Sequence, residues 1–199
     1  MNKFIGLTGP SGAGKGEVSK ILFKMGFYHF DCDKIYHGLL VPPSRCLDEL
    51  RQNFGDEIFF DNGELNRRVL AAIVFSDDGR QSKLPVLNSI THKYVLDEVK
   101  KQAEKLKEYN GFTVDAPTLF ESGFNSQCHV VISVLADKDL RIERIIAREG
   151  LSKNDAEARV NAQPDDDFYS ERSDYVVYNN GDLLSLEKEI KRIVKEAGL

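Results

Sequence analysis

A glycine-rich segment near the N-terminus constrains the fold of this chain more than any other feature. Gly9–Lys15 reads Gly-Pro-Ser-Gly-Ala-Gly-Lys and fits the pattern G-x-x-x-x-G-K. It follows a short apolar run, Phe4–Thr8, and precedes apolar residues at helical spacing. Glycines let a backbone curl so that several N–H groups point at one anion, and a helix that starts there adds the positive end of its dipole. The pattern therefore predicts a phosphate-binding loop between a strand and a helix; a glycine-rich turn with an incidental lysine is the alternative.

The predicted loop departs from the usual pattern after Lys15. Gly16 stands where the pattern usually has a Ser or Thr whose hydroxyl binds Mg²⁺, and in this the loop resembles those of nucleoside monophosphate kinases, cytidylate kinase above all. Mg²⁺ tends to keep several waters, so we expect phosphates and water to hold the ion, with carboxylates behind them. Glu17 either lies near those waters or complements the helix dipole. The residues of this segment predicted to bind ATP are Gly9, Ser11, Gly12, Ala13, Gly14, Lys15, Gly16 and Glu17.

Length, charge and cysteine content narrow the class of protein. The chain has 199 residues, enough for one α/β domain with an inserted subdomain. A net charge of −5 argues against a nucleic-acid partner, since such partners usually face a concentrated basic surface. Three cysteines without C-x-x-C spacing indicate reduced thiols, and no signal-peptide pattern or membrane-length apolar run is present. We therefore expect a cytoplasmic protein with no membrane partner, and nothing in the sequence requires an oligomer.

Five short apolar segments predict β-strands, separated by segments with helical spacing. They are Phe4–Thr8, Phe27–Phe30, Phe112–Ala116, Val130–Leu135 and Tyr175–Tyr178. Short continuous apolar strands that alternate with helices indicate a parallel sheet covered on both faces. The predicted fold class is therefore α/β, a three-layer α/β/α arrangement of the P-loop NTPase type with a five-stranded parallel sheet.

The composition changes between the second and third predicted strands. From Lys34 to Asn110 the pattern is helical almost throughout, broken at turn residues such as Asp77-Asp78-Gly79, and Pro85 stands where a helix could begin or kink. This stretch predicts a helical subdomain inserted at about 34–110, with residues 1–33 and 111–199 as the core. Farther on, the capping-box spacing at Ser152 predicts the start of another helix.

Carboxylates stand at the ends of two predicted strands. Asp31 and Asp33 flank Cys32 after the second strand, and Asp115 ends the third. Ligands of parallel sheets bind at the carboxyl ends of the strands, and a carboxylate there can orient a hydroxyl that attacks a phosphoryl group. One of the first pair is expected to cap the next helix, so we assign catalysis to Asp33 and a structural or positioning role to Asp31. Asp115 is either an outer ligand of Mg²⁺ or a solvated loop acid.

Three arginines recur at helical intervals in a predicted helix after the fourth strand. Arg141, Arg144 and Arg148 are three and four positions apart and could share one face. Such a face would offer fork-shaped donors to phosphate. The alternative is a solvated basic face paired with Glu143 and Glu149.

Taken in order, a set of segments resembles the dephospho-coenzyme A kinase family over nearly the whole chain. The set comprises the phosphate loop, Asp31-Cys32-Asp33, Phe54-Gly55, Gly63-Glu64-Leu65-Asn66-Arg67, Val74-Phe75-Ser76-Asp77, Asn88-Ser89-Ile90-Thr91-His92, Asp115-Ala116-Pro117-Thr118-Leu119-Phe120-Glu121, Arg144, Arg148-Glu149-Gly150-Leu151-Ser152, Ala162-Gln163 and Asp174-Tyr175-Val176-Val177-Tyr178-Asn179-Asn180-Gly181. The chain departs from the family at Gly16-Glu17 in place of Ser-Thr, at Lys93 in place of a proline, and at Thr118 in place of a leucine.

The resemblance implies a core that binds ATP, a helical insert that receives dephospho-coenzyme A, and a helical lid at about 148–165. It implies that Asp33 is the base and that Arg144 and Arg148 face phosphates, so with Lys15 these form the expected catalytic set. The residues expected on the acceptor side are Asp33, Arg67, His92 and Asp115, with Asn179 facing adenine and Asp115 reaching Mg²⁺ through water. A histidine such as His92, taken without the resemblance, is more typical of a surface or core position.

The implied reaction is in-line attack of a ribose 3′-hydroxyl on the γ-phosphoryl group of ATP, with dephospho-coenzyme A as acceptor and Mg²⁺ accompanying ATP. Two alternatives remain open. A nucleoside monophosphate kinase is favoured by the Gly-Lys-Gly sequence at residues 14–16. A nucleotide-binding regulator without catalysis is favoured only by Gly16.

Overall fold

Five strands form one sheet in the computed structural model, which describes residues 3–116 and 118–199. The strands are β1 (Phe4–Thr8), β2 (Phe27–Asp31), β3 (Gly111–Asp115), β4 (Val130–Leu135) and β5 (Tyr175–Tyr178), in the spatial order β2-β3-β1-β4-β5. The pairings of β1 with β3, of β1 with β4 and of β4 with β5 are parallel. The predicted five-stranded parallel sheet is confirmed. Pro117, which follows the third predicted strand in the sequence, lies outside the described residues.

The burial of the strands follows their place in the sheet. Every residue of β1 and β4 is buried, whereas β2 and β5 at the edges are partly exposed. A strand in the middle of a sheet covered on both faces is buried on both sides, so it is apolar throughout instead of alternating. This explains why the two central strands are found with their predicted bounds.

The chain has nine helices in its described residues, and its helices and strands are divided between two compact units. They are α1 (Lys15–Lys24), α2 (Cys32–Leu39), α3 (Arg45–Phe54), α4 (Arg67–Val74), α5 (Asp77–Ala103), α6 (Lys138–Glu149), α7 (Lys153–Asn161), α8 (Asp166–Ser170) and α9 (Leu183–Glu196), with short 3-10 turns at Asp56–Ile58 and Phe124–Gln127. The first unit runs up to Phe30 and resumes at Leu106, and the second is Asp31–Lys105. In the first, α1 and α9 share a buried apolar core with the sheet through residues such as Leu22 and Ile190.

The second unit is helical, as the sequence predicts for this part of the chain. Helix α5 packs against α2, α3 and α4 around a core that includes Leu50, Leu70 and Ile90. One detail of the prediction is wrong: Asp77-Asp78-Gly79 does not separate two helices but forms the first turn of α5, which continues through Pro85. The physical reason is a cap, because Ser76 Oγ accepts a hydrogen bond from Gly79 N at 3.0 Å. The bounds of the insert, 34–110, and of the lid, 148–165, remain predictions.

The cap predicted at Ser152 is confirmed. Ser152 Oγ accepts a hydrogen bond from Asp155 N at 3.2 Å, and α7 begins at the next residue, Lys153. Among residues 3–116 and 118–199, no helix has the length and apolar character needed to cross a bilayer.

Candidate active site

Candidate residues gather where the strands of the first unit end. Residues 9–14 follow β1 directly, and Leu7 in β1 is paired with Asp115, the last residue of β3. Asn179 follows β5, and its backbone N–H donates to Leu135 O at 2.8 Å. The carboxyl ends of parallel strands lie at one edge of a sheet, so this edge brings the loop, Asp115 and Asn179 into one region.

Two glycines of the loop are required by close approaches. A Cβ atom added at Gly9 would lie 2.1 Å from the backbone oxygen of Val134 in β4, and one added at Gly14 would lie 2.1 Å from Asn179 Nδ2. Both glycines also have positive φ angles, 134° and 101°, where a side chain is strained. The same Asn179 Nδ2 donates to Ala13 O at 2.9 Å, so the amide predicted to face adenine contacts the phosphate loop in this structure.

The carbonyl groups of the loop are held from outside by arginines of α6. Arg141 Nε donates to Ser11 O at 3.0 Å. Arg144 Nη1 lies 3.3 Å from both Gly12 O and Ala13 O. The C=O and N–H groups of one trans peptide point in opposite directions. The N–H groups that follow Ser11 O and Ala13 O, those of Gly12 and Gly14, therefore point to the other side of the loop.

This arrangement is a cradle for an anion. N–H groups on the inner side of the loop and the N-terminus of α1 both favour negative charge. The ammonium group of Lys15 lies across the loop and donates to Gly9 O at 2.7 Å, with Pro10 O at 3.5 Å. The geometry therefore suits a polyphosphate, bound by backbone donors and one mobile cation.

The two residues after Lys15 differ in their surroundings. A Cβ atom added at Gly16 would have no other atom within 4 Å, so this position is open. Glu17 Oε1 lies 2.7 Å from Lys20 Nζ, three residues farther along the same helix. That pair and the first-turn position favour the alternative in which Glu17 complements the helix dipole.

Asp115 is half-buried at the end of β3, with its Oδ1 atom shielded from solvent. Within the described ranges, no group of three or more His, Cys, Asp or Glu side chains could hold a metal ion. The donor set at this edge therefore fits an Mg²⁺ ion that arrives with a nucleotide and keeps phosphate and water ligands. It does not fit an ion enclosed by protein side chains.

Arg148 lies apart from the loop contacts made by Arg141 and Arg144. It is exposed, and its Nη2 atom is 2.5 Å from Glu149 Oε1, while Glu149 Oε2 is 2.5 Å from Arg159 Nη1. The hydrogen bond from Arg148 and the charge of Arg159 lower the pKa of Glu149. The three arginines therefore do not act as one face: two bind the loop, and the third pairs with an acid on the surface.

The acceptor candidates lie in the second unit. Asp31 Oδ1 accepts a hydrogen bond from Lys34 N at 2.9 Å and caps α2, as one of the two acids was expected to do. Asp33 is exposed in the first turn of that helix, and Arg67 is the first residue of α4. His92 is half-buried in α5, against which both α2 and α4 pack. The roles of these residues toward an acceptor remain predictions.

Sequence reasoning missed His37. Its Nδ1 atom lies 3.1 Å from Arg67 Nη1. Because a guanidinium group only donates, Nδ1 is the atom that would accept in this contact. His37 follows Asp33 by four residues on α2, so the two share a helix face. The four-residue spacing from Asp33 was the only sequence signal for His37. The partner of His37 could not be recognised from the sequence, since Arg67 is 30 positions away.

Sequence reasoning also missed the contact of Gln163 with the loop and left Arg141 out of the site. Gln163 Oε1 accepts hydrogen bonds from Ser11 N and from Arg141 Nη2, both at 3.0 Å. Arg141 was recognised by its helical interval to Arg144 as a possible phosphate donor, but the resemblance then assigned only Arg144 and Arg148 to phosphates. Gln163 lies after α7 and gave no local signal of its own.

Comparison with known proteins places the chain in a family. The sequence model described as dephospho-CoA kinase matches residues 3–185. The chain is 35% identical over 199 residues to the dephospho-CoA kinase of Staphylococcus aureus (strain bovine RF122 / ET3-1), covering 100% of this chain and 95% of that protein.

Solved structures agree with this. The structure of TT1252 from Thermus thermophilus is similar with a TM-score of 0.78 at 31% identity, over 98% of this chain and 97% of that one. Dephospho-CoA kinase from Campylobacter jejuni is similar with a TM-score of 0.64 at 25% identity, over the same shares.

Proposed function

The chain belongs to the dephospho-CoA kinase family, and from this premise we propose that it transfers the γ-phosphoryl group of ATP to the ribose 3′-hydroxyl of dephospho-CoA, giving coenzyme A. The observation that supports the proposal is the phosphate loop, whose carbonyls bind Arg141, Arg144 and Asn179. By peptide geometry this turns the N–H groups of Gly12 and Gly14 to the other side of the loop, where an anion could bind. Phosphoryl transfer asks a protein mainly to position the reactants and to neutralise charge, and this loop supplies both.

In the first unit, the proposed roles concern ATP. The loop N–H groups and Lys15 bind the β- and γ-phosphates, and Lys15 leaves Gly9 O to do so. The resemblance to the family assigns Arg144 and Arg148 to the negative charge that develops on the transferred group. To reach it, Arg144 would leave the loop carbonyls and Arg148 would leave Glu149. Asn179, buried beside the loop, contributes to the adenine side.

In the second unit, the proposed roles concern the acceptor. Asp33 is the base: its carboxylate accepts the proton of the 3′-hydroxyl and orients the attacking oxygen. Its exposure in the first turn of α2 leaves it accessible to a ligand. Arg67 and His92 bind the acceptor. Asp115, which belongs to the first unit, is also proposed to bind the acceptor.

Mg²⁺ is part of the proposal as the companion of ATP. When bound, it would neutralise charge on the β- and γ-phosphate oxygens. Asp115 is the residue that would reach it, through water, since Gly16 offers no hydroxyl. The setting proposed for the reaction is the cytoplasm, which the three free cysteines support.

The test is a coupled ADP-release assay with and without dephospho-CoA, in which cytidylate, uridylate and adenylate are offered as alternative acceptors. We expect turnover only with dephospho-CoA and a phosphorus signal for a new 3′-phosphate in the product. Preference for cytidylate would assign the chain to the nucleoside monophosphate kinases instead. Binding of ATP without any turnover would favour the regulator.

Lys15→Ala should abolish this turnover and leave the fold intact, because Lys15 contacts loop carbonyls and is not part of the apolar core of this unit. Lys20→Ala is the matched control, since Lys20 is an exposed lysine of the same helix that pairs with Glu17. Near-normal activity of Lys15→Ala would show that the loop is not the ATP site.

A further inference from the structure

The backbone of Ser11, in the middle of the phosphate loop, is held on both sides by two side chains. Its N–H donates to Gln163 Oε1 at 3.0 Å, and its carbonyl oxygen accepts from Arg141 Nε at 3.0 Å. We propose that Gln163 and Arg141 form one positioning unit that fixes the phosphate loop in its ATP-binding conformation. This rests on the proposed use of the loop for ATP and adds two residues, neither of which touches the reacting atoms.

The two side chains also bind each other, which makes them a unit. Arg141 Nη2 donates to Gln163 Oε1 at 3.0 Å, and Gln163 Nε2 donates to Ser11 Oγ at 3.3 Å. The amide oxygen of Gln163 therefore receives two donors, one from the loop and one from Arg141, and a carbonyl oxygen has two lone pairs to offer. The orientation of the amide is fixed by this network, since the –NH₂ group could not accept either bond.

Burial makes the unit rigid. Only 6% of Arg141 is exposed. Burial lowers the pKa of Arg141, while the charges of Asp166 and Tyr169 oppose that effect. Buried N–H donors need acceptors, and the loop carbonyl and the Gln163 amide are the acceptors of Arg141 Nε and Nη2. Moving Gln163 away would leave a buried donor of Arg141 without its acceptor, so the two side chains and the loop hold one arrangement.

The backbone of Arg141 supports the loop as well as its side chain. A Cβ atom added at Gly12 would lie 2.5 Å from Arg141 O. The turn at Ser11 and Gly12 therefore rests directly on helix α6. This contact and the bond to Ser11 O act on the same peptide group, the one between Ser11 and Gly12.

The consequence for ATP follows from the geometry of that peptide group. Fixing the direction of Ser11 O also fixes the direction of Gly12 N–H, because both belong to one planar unit. Gly12 N–H is one of the donors directed toward the anion cradle. A loop already held in this shape loses less conformational freedom when the phosphates bind, so the unit raises the affinity for ATP.

The test uses Gln163→Met, which keeps the length of the side chain and removes its hydrogen bonds. We measure the dissociation constant of MgATP by calorimetry without acceptor, and KM and kcat with dephospho-CoA. The dissociation constant and KM for ATP should rise about tenfold, the scale of one or two hydrogen bonds. The value of kcat at saturating ATP and KM for dephospho-CoA should change by less than about threefold. Gln102→Ala is the matched control, because Gln102 bonds Glu98 on its own helix.

A double-mutant cycle tests whether the two residues act as one. Arg141→Met and the pair Arg141→Met with Gln163→Met should lose similar ATP affinity, because either change breaks the same unit. The melting temperature without ATP is recorded for each protein, since Arg141 is buried. If Arg141→Met does not fold, Gln163→Met alone decides.

The outcomes separate this proposal from the function. An unchanged ATP dissociation constant for Gln163→Met overturns the positioning unit and leaves the kinase assignment intact. A fall in kcat with unchanged ATP affinity overturns it as well. So does a fall in ATP affinity that is fully accounted for by unfolding of the variant, as its lower melting temperature would show. A parent protein that binds ATP but shows no turnover with dephospho-CoA defeats the proposed function, while weaker ATP binding by Gln163→Met would still support the unit.

Discussion

Asp31 and Asp33 show how two identical side chains, two positions apart, are assigned to different tasks. The carboxylate of Asp31 is bound to the backbone N–H of Lys34 and caps α2. Asp33, in the first turn of the same helix, is exposed. The helix needs the first acid for its own N-terminus, and the second remains accessible for an acceptor.

Asp33→Asn should therefore lower kcat by roughly 10²-fold or more, the scale of general-base catalysis, with ATP affinity retained. Asp31→Asn is the matched control. Asn caps a helix about as well as Asp, so this variant should keep its activity and its melting temperature. Steady-state kinetics and ATP titration of both proteins give the answer. A large loss in Asp31→Asn with none in Asp33→Asn would reverse the assignment.

The missing hydroxyl at position 16 leads to a prediction about magnesium. Gly16→Ser fits into open space, and Glu17 is paired with Lys20, so Gly16→Ser and Glu17→Thr should change the magnesium requirement little. Asp115→Asn should need several-fold more Mg²⁺ for half-maximal activity, because it removes the one acid assigned to the ion. A magnesium titration of turnover measures all three. A parent that transfers nothing, together with an active Gly16→Ser, would favour the regulator.

At the scale of residues, the part of the site that is contiguous in sequence could be predicted. The contacts between residues far apart in sequence could not. The loop is visible in the sequence because its glycines and Lys15 lie within seven residues. The contacts of Arg141, Gln163 and Asn179 with the loop were not predicted, because these residues meet it from 130, 152 and 166 positions away. The hydrogen bonds of these side chains depend on the folded sheet, which no local pattern encodes.

At the scale of elements, hydrophobic patterns predicted the strands well because central strands are apolar on both faces. The starts of helices were harder to predict than the strands, because helix caps and turns use the same residue types. Ser152 was recognised as a cap, whereas Asp77-Asp78-Gly79 after Ser76 was taken for a break. Ser, Asp and Gly serve turns and helix N-termini alike, so their order alone did not decide.

Two helical glycines of the second unit give a matched pair for testing this account of α5. A Cβ atom added at Gly79 would lie 1.9 Å from Ile73 O, whereas one at Gly38 in α2 would meet nothing within 4 Å. Gly79→Ala should destabilise the protein by about 1–3 kcal/mol, since backbone must move. Gly38→Ala should stabilise it by about 0.5–1 kcal/mol through helix propensity. Urea unfolding followed by circular dichroism measures both, and equal effects of the two variants would contradict the close packing at the start of α5.

At the scale of the whole molecule, each of the two units contains a thiol that is shielded from solvent: Cys46 is buried and Cys128 is half-buried. Burial raises the pKa of Cys46 to about 11, in the second unit, and that of Cys128 to about 12, in the first. The charge of Glu49 raises the first further, and that of Asp174 the second. Because only the thiolate is nucleophilic, both side chains stay protonated and unreactive in the folded protein until the pH approaches these values.

We therefore expect a disulfide reagent at pH 8 to modify Cys46 and Cys128 only when each site opens. When the opening that exposes Cys128 also disrupts the ATP site, bound ATP opposes that opening. An MgATP concentration 100 times its dissociation constant should then slow modification of Cys128 by up to about 100-fold. Peptide mapping assigns the labels, and Cys128→Ala should remove the phase that ATP slows. Rapid labelling of Cys128 in the native protein at pH 8 would contradict its burial.

The outward bonds of the phosphate loop bear on how the protein is made. The loop spans residues 9–14, whereas the side chains that hold its carbonyls come from positions 141, 144 and 179, far later in synthesis. Proteins are synthesised from the N-terminus, so a nascent chain that ends before Asn179 carries the complete glycine-rich motif without the frame that shapes it. We therefore expect a chain truncated before Asn179 to bind ATP more weakly than the full chain, because its loop is not held in one shape.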